Sequence, residues 1–164
     1  MKKTLITMMA VLIMLSACGA PRYEDAEDLL AHWAYNGYPK EYCGVWSTDG
    51  TLQNLTIALT DNAAGDKMER KIRSMVEDDS TLSFARLEHS YAELEKVQRA
   101  VRKYLESCET EVGVDGYGIY DPGNCIRVDI IPDKPGAQDF MDWCSENYPG
   151  MIEFHETAGY SKPA

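Results

Sequence analysis

The residue pattern predicts an α+β fold in which antiparallel sheet hairpins pack against helices, and three observations carry that expectation. Apolar residues alternate with polar ones in short runs beside turn-forming residues, as at Leu55, Ile57 and Leu59 and again at Ile126, Val128 and Ile130. Elsewhere apolar residues recur every three or four positions, the period of a helix with one buried stripe. The order also repeats: residues 44–88 and 116–155 each run hairpin, helix, strand, giving two such units joined by a central helix.

In chain order, Tyr23 to Tyr35 carries Ala26, Leu29, Leu30 and Trp33 on one helical face, and Asn36-Gly37 followed by Pro39 ends that helix. A first hairpin follows, from Gly44-Val45-Trp46-Ser47 through Thr48-Asp49-Gly50-Thr51 into the alternating run at 55–60. Asp61-Asn62 caps a helix with Met68, Ile72, Met75 and Val76 inward, and Thr81 to Glu88 is a strand with Leu82, Phe84 and Arg86 on one side. Ser90 and Glu93 form a capping box for the central helix, whose face is Tyr91, Leu94, Val97, Val101, Tyr104 and Leu105, continued by Cys108. After the glycine-containing stretch 113–118, a second hairpin turns at Asp121-Pro122-Gly123-Asn124, where proline presets φ and glycine accepts a positive one. A helix past Pro135 shares Ala137, Phe140 and Cys144 on one face, and Met151 to His155 is the last strand. The expected organisation is a leader at 1–17, a linker at 18–22, one α+β domain at 23–155 and a flexible tail at 156–164.

The amino end carries an address. Met1-Lys2-Lys3 is followed by an apolar run from Leu5 to Leu15, broken only by Thr7, which is too short for a permanent membrane span of roughly 20 residues. Leu15-Ser16-Ala17-Cys18-Gly19 then resembles the lipobox of bacterial lipoproteins, with small residues where a signal peptidase closes on the backbone. The resemblance implies cleavage before Cys18, a diacylglyceryl thioether on its sulfur, and an extracytoplasmic body held at the cell membrane by that lipid. Two or more acyl chains are what make such an anchor stable.

Charge narrows the partners. The net charge of -11 becomes -13 once Lys2 and Lys3 leave with the leader. So acidic a body lacks the Lys and Arg footprint that nucleic acid requires, and anionic headgroups repel it. The lipid on Cys18 is therefore the expected membrane contact, and an extracellular protein or peptide the expected further partner. Apart from Cys18, an even set of four cysteines, Cys43, Cys108, Cys125 and Cys144, predicts two disulfides in an exported domain. Three connectivities are open, and the element order favours Cys43–Cys108 with Cys125–Cys144.

Catalytic and cofactor signals are absent from the sequence. His32, His89 and His155 lie in no recognisable motif, and pairs such as Asp78-Asp79 are expected on the solvated faces of an acidic chain. There is no calcium loop, phosphate-binding GxxxxGK or GxGxxG, and the cysteines lack zinc spacing. No catalytic residue, metal or cofactor is expected. Trp33 and Trp143 fall on or beside core faces, leaving Trp46 with Tyr42 as the more open aromatic pair.

Several phrases together resemble the prosegment of secreted trypsin-like proteases of the streptogrisin and alpha-lytic type. They are Tyr42-Cys43-Gly44-Val45-Trp46, the run from Leu55 to Asp61, Leu87 to Leu94, and Gly118 to Val128, within roughly Tyr38 to Ile131. The resemblance implies a folding chaperone and inhibitor that presents a sheet edge to its protease. No protease is expected beyond Ala164, so such a role is expected to act in trans. The expected function is a non-enzymatic, membrane-anchored binding domain. The alternatives are a small hydrolase or ligand receptor using His89 or His155, and a structural accessory of the cell envelope.

Overall fold

A computed structural model describes residues 21–47, 49–51, 54–80 and 82–158. The leader, Cys18, the first residue of the 81–88 strand and the tail beyond residue 158 lie outside the described residues.

Helix α1 (Ala26–Asn36) opens where the Asp25 carboxylate accepts the Asp28 N–H and closes at Gly37, whose positive φ lets its N–H reach the Trp33 carbonyl. It buries Ala26, Leu29 and Trp33. Strands β1 (Tyr42–Ser47) and β2 (Leu55–Thr60) form the first antiparallel hairpin. Helix α2 (Ala63–Met75), capped by Asn62, then crosses over, so β3 (Leu82–Leu87) returns parallel to β2. The second half repeats the plan with α3 (Tyr91–Ser107), β4 (Val114–Tyr120), a 3₁₀ turn at Asp121–Gly123, β5 (Cys125–Ile130), α4 (Ala137–Asn147) and β6 (Ile152–Glu156). Its β4–β5 pair is antiparallel and its β5–β6 pair parallel.

The α+β class and the two hairpin-helix-strand units are as the sequence predicts, with two refinements. Each third strand is parallel to its neighbour, because an intervening helix reverses the chain once more. The central helix is also more than a joint. Leu94, Val97 and Val101 of α3 pack with Ile126, Val128, Ile130 and Phe140 in the second core, whereas α1 packs Leu29 and Trp33 into the first with Ile57, Leu59 and Ile72. The repeating unit is therefore helix, hairpin, helix, strand, with α1 and α3 as counterparts.

Registers coincide between the units. Edge strands β1 and β4 both carry a bulge near their start, between Tyr42 and Gly44 and between Val114 and Gly116. Gly44 pairs with Ala58 where Gly116 pairs with Asp129, and Trp46 pairs with Thr56 where Gly118 pairs with Arg127.

The second hairpin's turn joins the halves. Asp121 accepts the N–H of Val45 at 2.9 Å, and its side chain fills the space above Gly44 that a Cβ there would need. Asn124, left-handed at φ 50, accepts the His89 N–H and donates to the His89 carbonyl, both at 2.7 Å. This side chain thus bonds like an extra strand residue.

The expected disulfides are absent: Cys43, Cys108, Cys125 and Cys144 are all free. Geometry explains both failures. Cys43 is buried close enough to the first turn of α3 to feel the charge of Glu93, while Cys108 follows the last turn. Seventeen residues of helix separate the two ends, about 25 Å at 1.5 Å per residue, against the 4 to 7 Å a disulfide spans. Cys144 faces the second core with Ile126 and Val128, whereas Cys125, one residue out of phase, faces the opposite side of that sheet.

Candidate binding face

Helices cover each sheet on one side, and the other sides differ. On the first sheet the outward residues of β2, Thr56 and Ala58, are buried, and the Asp121 turn lies against neighbouring Gly44. On the second sheet the inward set Ile126, Val128 and Ile130 is buried, so strict alternation turns Cys125, Arg127 and Asp129 outward. Register with β6 places Glu153 beside Arg127 and His155 beside Asp129, and register with β4 adds Gly116, Gly118 and Tyr120.

These side chains form one connected polar surface. The Arg127 guanidinium lies 5.6 Å from the centre of the Tyr120 ring and its Nε 3.9 Å from Asp129 Oδ1. His155 Nδ1 approaches the same oxygen at 3.0 Å. The Cys125 thiol donates to Glu153 Oε2 at 3.6 Å. Glu153 has no cationic partner among the described residues. Over β4 the glycines leave the backbone bare: a Cβ on Gly118 would meet nothing within 4 Å, and one on Gly116 would meet only Asp129 Oδ2 at 3.7 Å. A shallow hollow of about 320 Å³ results, lined by Gly118, Tyr120, Arg127 and Asp129.

Burial, and then the charge of Glu153, push the Cys125 thiol up to about 11, so the nucleophilic thiolate is scarce near neutral pH. Cys125 and His155 also sit four rungs apart along the sheet, about 13 Å at 3.3 Å per residue, which is no thiol–imidazole dyad. Among the described residues no three His, Cys, Asp or Glu side chains converge as metal ligands.

The structure separates the other residues singled out by sequence. His32 is exposed, its ring Nδ1 3.2 Å from the Asn36 amide, and His89 is held by its backbone to Asn124. The three histidines do not converge. Tyr42 is buried and stacked on Tyr38 at 4.4 Å; Trp46 is half-buried and lines a separate apolar hollow of about 440 Å³ with Leu30, Ala34 and Tyr38. Trp33 lies in the first core and Trp143 stacks on Tyr104 at 4.4 Å, both as packing residues.

Fold and face together define an α+β protein of two matching units, with a polar surface on its second sheet. No protein-family profile matches the chain, and no curated protein matches it in sequence.

Proposed function

We propose that this protein is a non-enzymatic binding domain, held at the extracytoplasmic face of the cell membrane by lipid on Cys18, and that it engages a protein or peptide through the open face of its second sheet. The observation that carries this reading is the contrast between equivalent positions: Thr56 and Ala58, outward on the first sheet's central strand, are buried, while the second sheet offers Tyr120, Arg127, Asp129, Glu153 and His155 around a bare glycine floor. Mixed charge beside an aromatic ring over a shallow hollow suits a macromolecular contact better than the enclosed pocket small molecules need.

The tether fits this role. Among the described residues Tyr23 is the first fixed by backbone bonds, to Met75 and Glu77, and it lies five positions after Cys18. An extended linker of that length reaches about 17 Å, so the body rides close to the bilayer. Among the described residues no helix is long and apolar enough to cross a membrane.

A photo-crosslinking amino acid at position 120 or 155, in cells, tests the binding reading. Capture of the same identified protein from both positions, and not from exposed Arg70 on α2, is the expected result; no adduct from either face position refutes it. The narrower, prosegment-like form predicts that secreted trypsin-like proteases are among the captured species and are inhibited by the purified lipoprotein. Replacing Cys18 by Ala should move the protein out of the membrane fraction, and continued partitioning with membranes would refute the anchor.

A further inference from the structure

The two units share one register, so an interface inside the molecule serves as a template for the matching surface of the second unit. On the first unit the occupant is a tight turn. Asp121, from the second hairpin, packs over Gly44 at the bulge and accepts the outward N–H of Val45. The matching positions on the second unit are Gly116 at the bulge and Tyr117 beside it. Gly118 there opens onto the shallow hollow beside Tyr120, Arg127 and Asp129, and a Cβ on Gly116 would meet, among the described residues, only Asp129 Oδ2 at 3.7 Å.

Divergence between the units specifies what would fill it. Ala58 and Thr56, apolar or neutral on the first face, correspond to Asp129 and Arg127 on the second, and β6 adds Glu153. Arg127 is already shared between the Tyr120 ring and Asp129, whereas Glu153 pairs, among the described residues, with the neutral Cys125 thiol and no cation. The face thus has a carboxylate to spare, on a body whose net charge is strongly negative. A second copy of the chain would bring like charge to it.

We propose that the occupant is a tight turn of another protein bearing lysine or arginine, seated over Gly116 and Gly118 with its cation on Glu153. This inference rests on the binding reading above and adds the chemistry of the partner. An apolar wall from Tyr120 receives the stem of the basic side chain, and the glycine floor lets the partner's backbone approach closely.

The experiment uses the full mature lipoprotein in detergent and two disulfide-closed hairpin peptides differing only at the turn, Lys-Pro-Gly-Lys and Glu-Pro-Gly-Glu. The lysine hairpin should bind, with affinity falling as salt rises, and the glutamate hairpin should not. Glu153→Gln should weaken binding about tenfold, with the melting temperature recorded alongside. Gly118→Val should abolish it by filling the floor. Glu153→Lys should reverse the preference between the hairpins, an outcome that a misfolded variant cannot produce. Equal binding of both hairpins, or a preference unchanged by Glu153→Lys, overturns the proposal. So does sedimentation showing copies of the chain paired through this face. A protein captured at position 120 together with indifference to turn charge would sink only this inference; no capture at all would sink the binding reading itself.

Discussion

At the scale of single residues, Asp121 carries the most physical tension. Its carboxyl is half-buried, with Tyr42 and Tyr91 near enough to feel its charge, and burial raises its pKa despite the bond from Val45 N–H, which acts the other way. The folded protein therefore holds this proton more tightly than the unfolded chain does. The resulting contribution to stability is full below the ordinary carboxylate value, about pH 3.9, and is lost as pH rises through the elevated folded value. Asp121→Asn keeps an oxygen for Val45 without the charge. Its melting temperature should fall less steeply than the parent's as pH rises above about 4, so that the two curves converge in acid; parallel curves would contradict the assignment. The cysteines give a second residue-scale test. Burial pushes Cys43 up to about 11 and Cys144 up to about 12. Thiol-specific reagents should react slowly with the native domain, and titrate all four thiols once it is denatured without reductant. Two or fewer would restore a disulfide.

At the scale of elements, local chemistry fixes where helices start. Ser90 Oγ accepts the Glu93 N–H, while the Glu93 carboxylate accepts the Ser90 hydroxyl at 2.7 Å and the Ser90 N–H at 2.8 Å, and these last two bonds chiefly lower Glu93's pKa. Ser90→Ala should cost about 1 kcal/mol in urea unfolding, and recovery with Ser90→Asp would assign the loss to the cap. Helix α2 starts under a tighter constraint, since a Cβ on Gly65 would run into the Thr60 carbonyl oxygen. Its outer flank carries Arg86 bonded to Asp66 and Glu69, and Arg73 bonded to Glu69 and Asp79. These are largely solvent-accessible pairs, each worth on the order of 0 to 1 kcal/mol, so they orient the helix more than they hold it.

At the scale of the whole molecule, two cores are joined through a small junction. Phe140 is fully buried in the second core, and Phe140→Ala should destabilise it by about 3 to 5 kcal/mol. Asp121 and Asn124 bond across the junction, beside the Tyr91 ring of α3, which packs 5.3 Å from Tyr38 and 5.5 Å from Tyr42. Replacing Asp121 and Asn124 by Ala should split a single unfolding transition into two, seen as non-coincident tryptophan fluorescence and far-ultraviolet dichroism curves. A single coincident transition in that variant would show that other contacts couple the halves.

The elements were legible in the sequence because their causes are local. The capping box, the Asp-Pro-Gly-Asn turn and the alternation of Ile126, Val128 and Ile130 each act within a few residues, and the hairpin-helix-strand repeat follows from their order. The same alternation already set Cys125 apart from Ile126, the one signal against pairing it with Cys144, and already turned Arg127 and Asp129 outward. Only tertiary structure decided that β3 and β6 run parallel to their neighbours, that α3 belongs to the second core, that the four thiols stay apart, and that Glu153 and His155 complete the open face. Those outcomes depend on register and approach between segments tens of residues apart, where burial of side chains across the fold, not local preference, selects the partner.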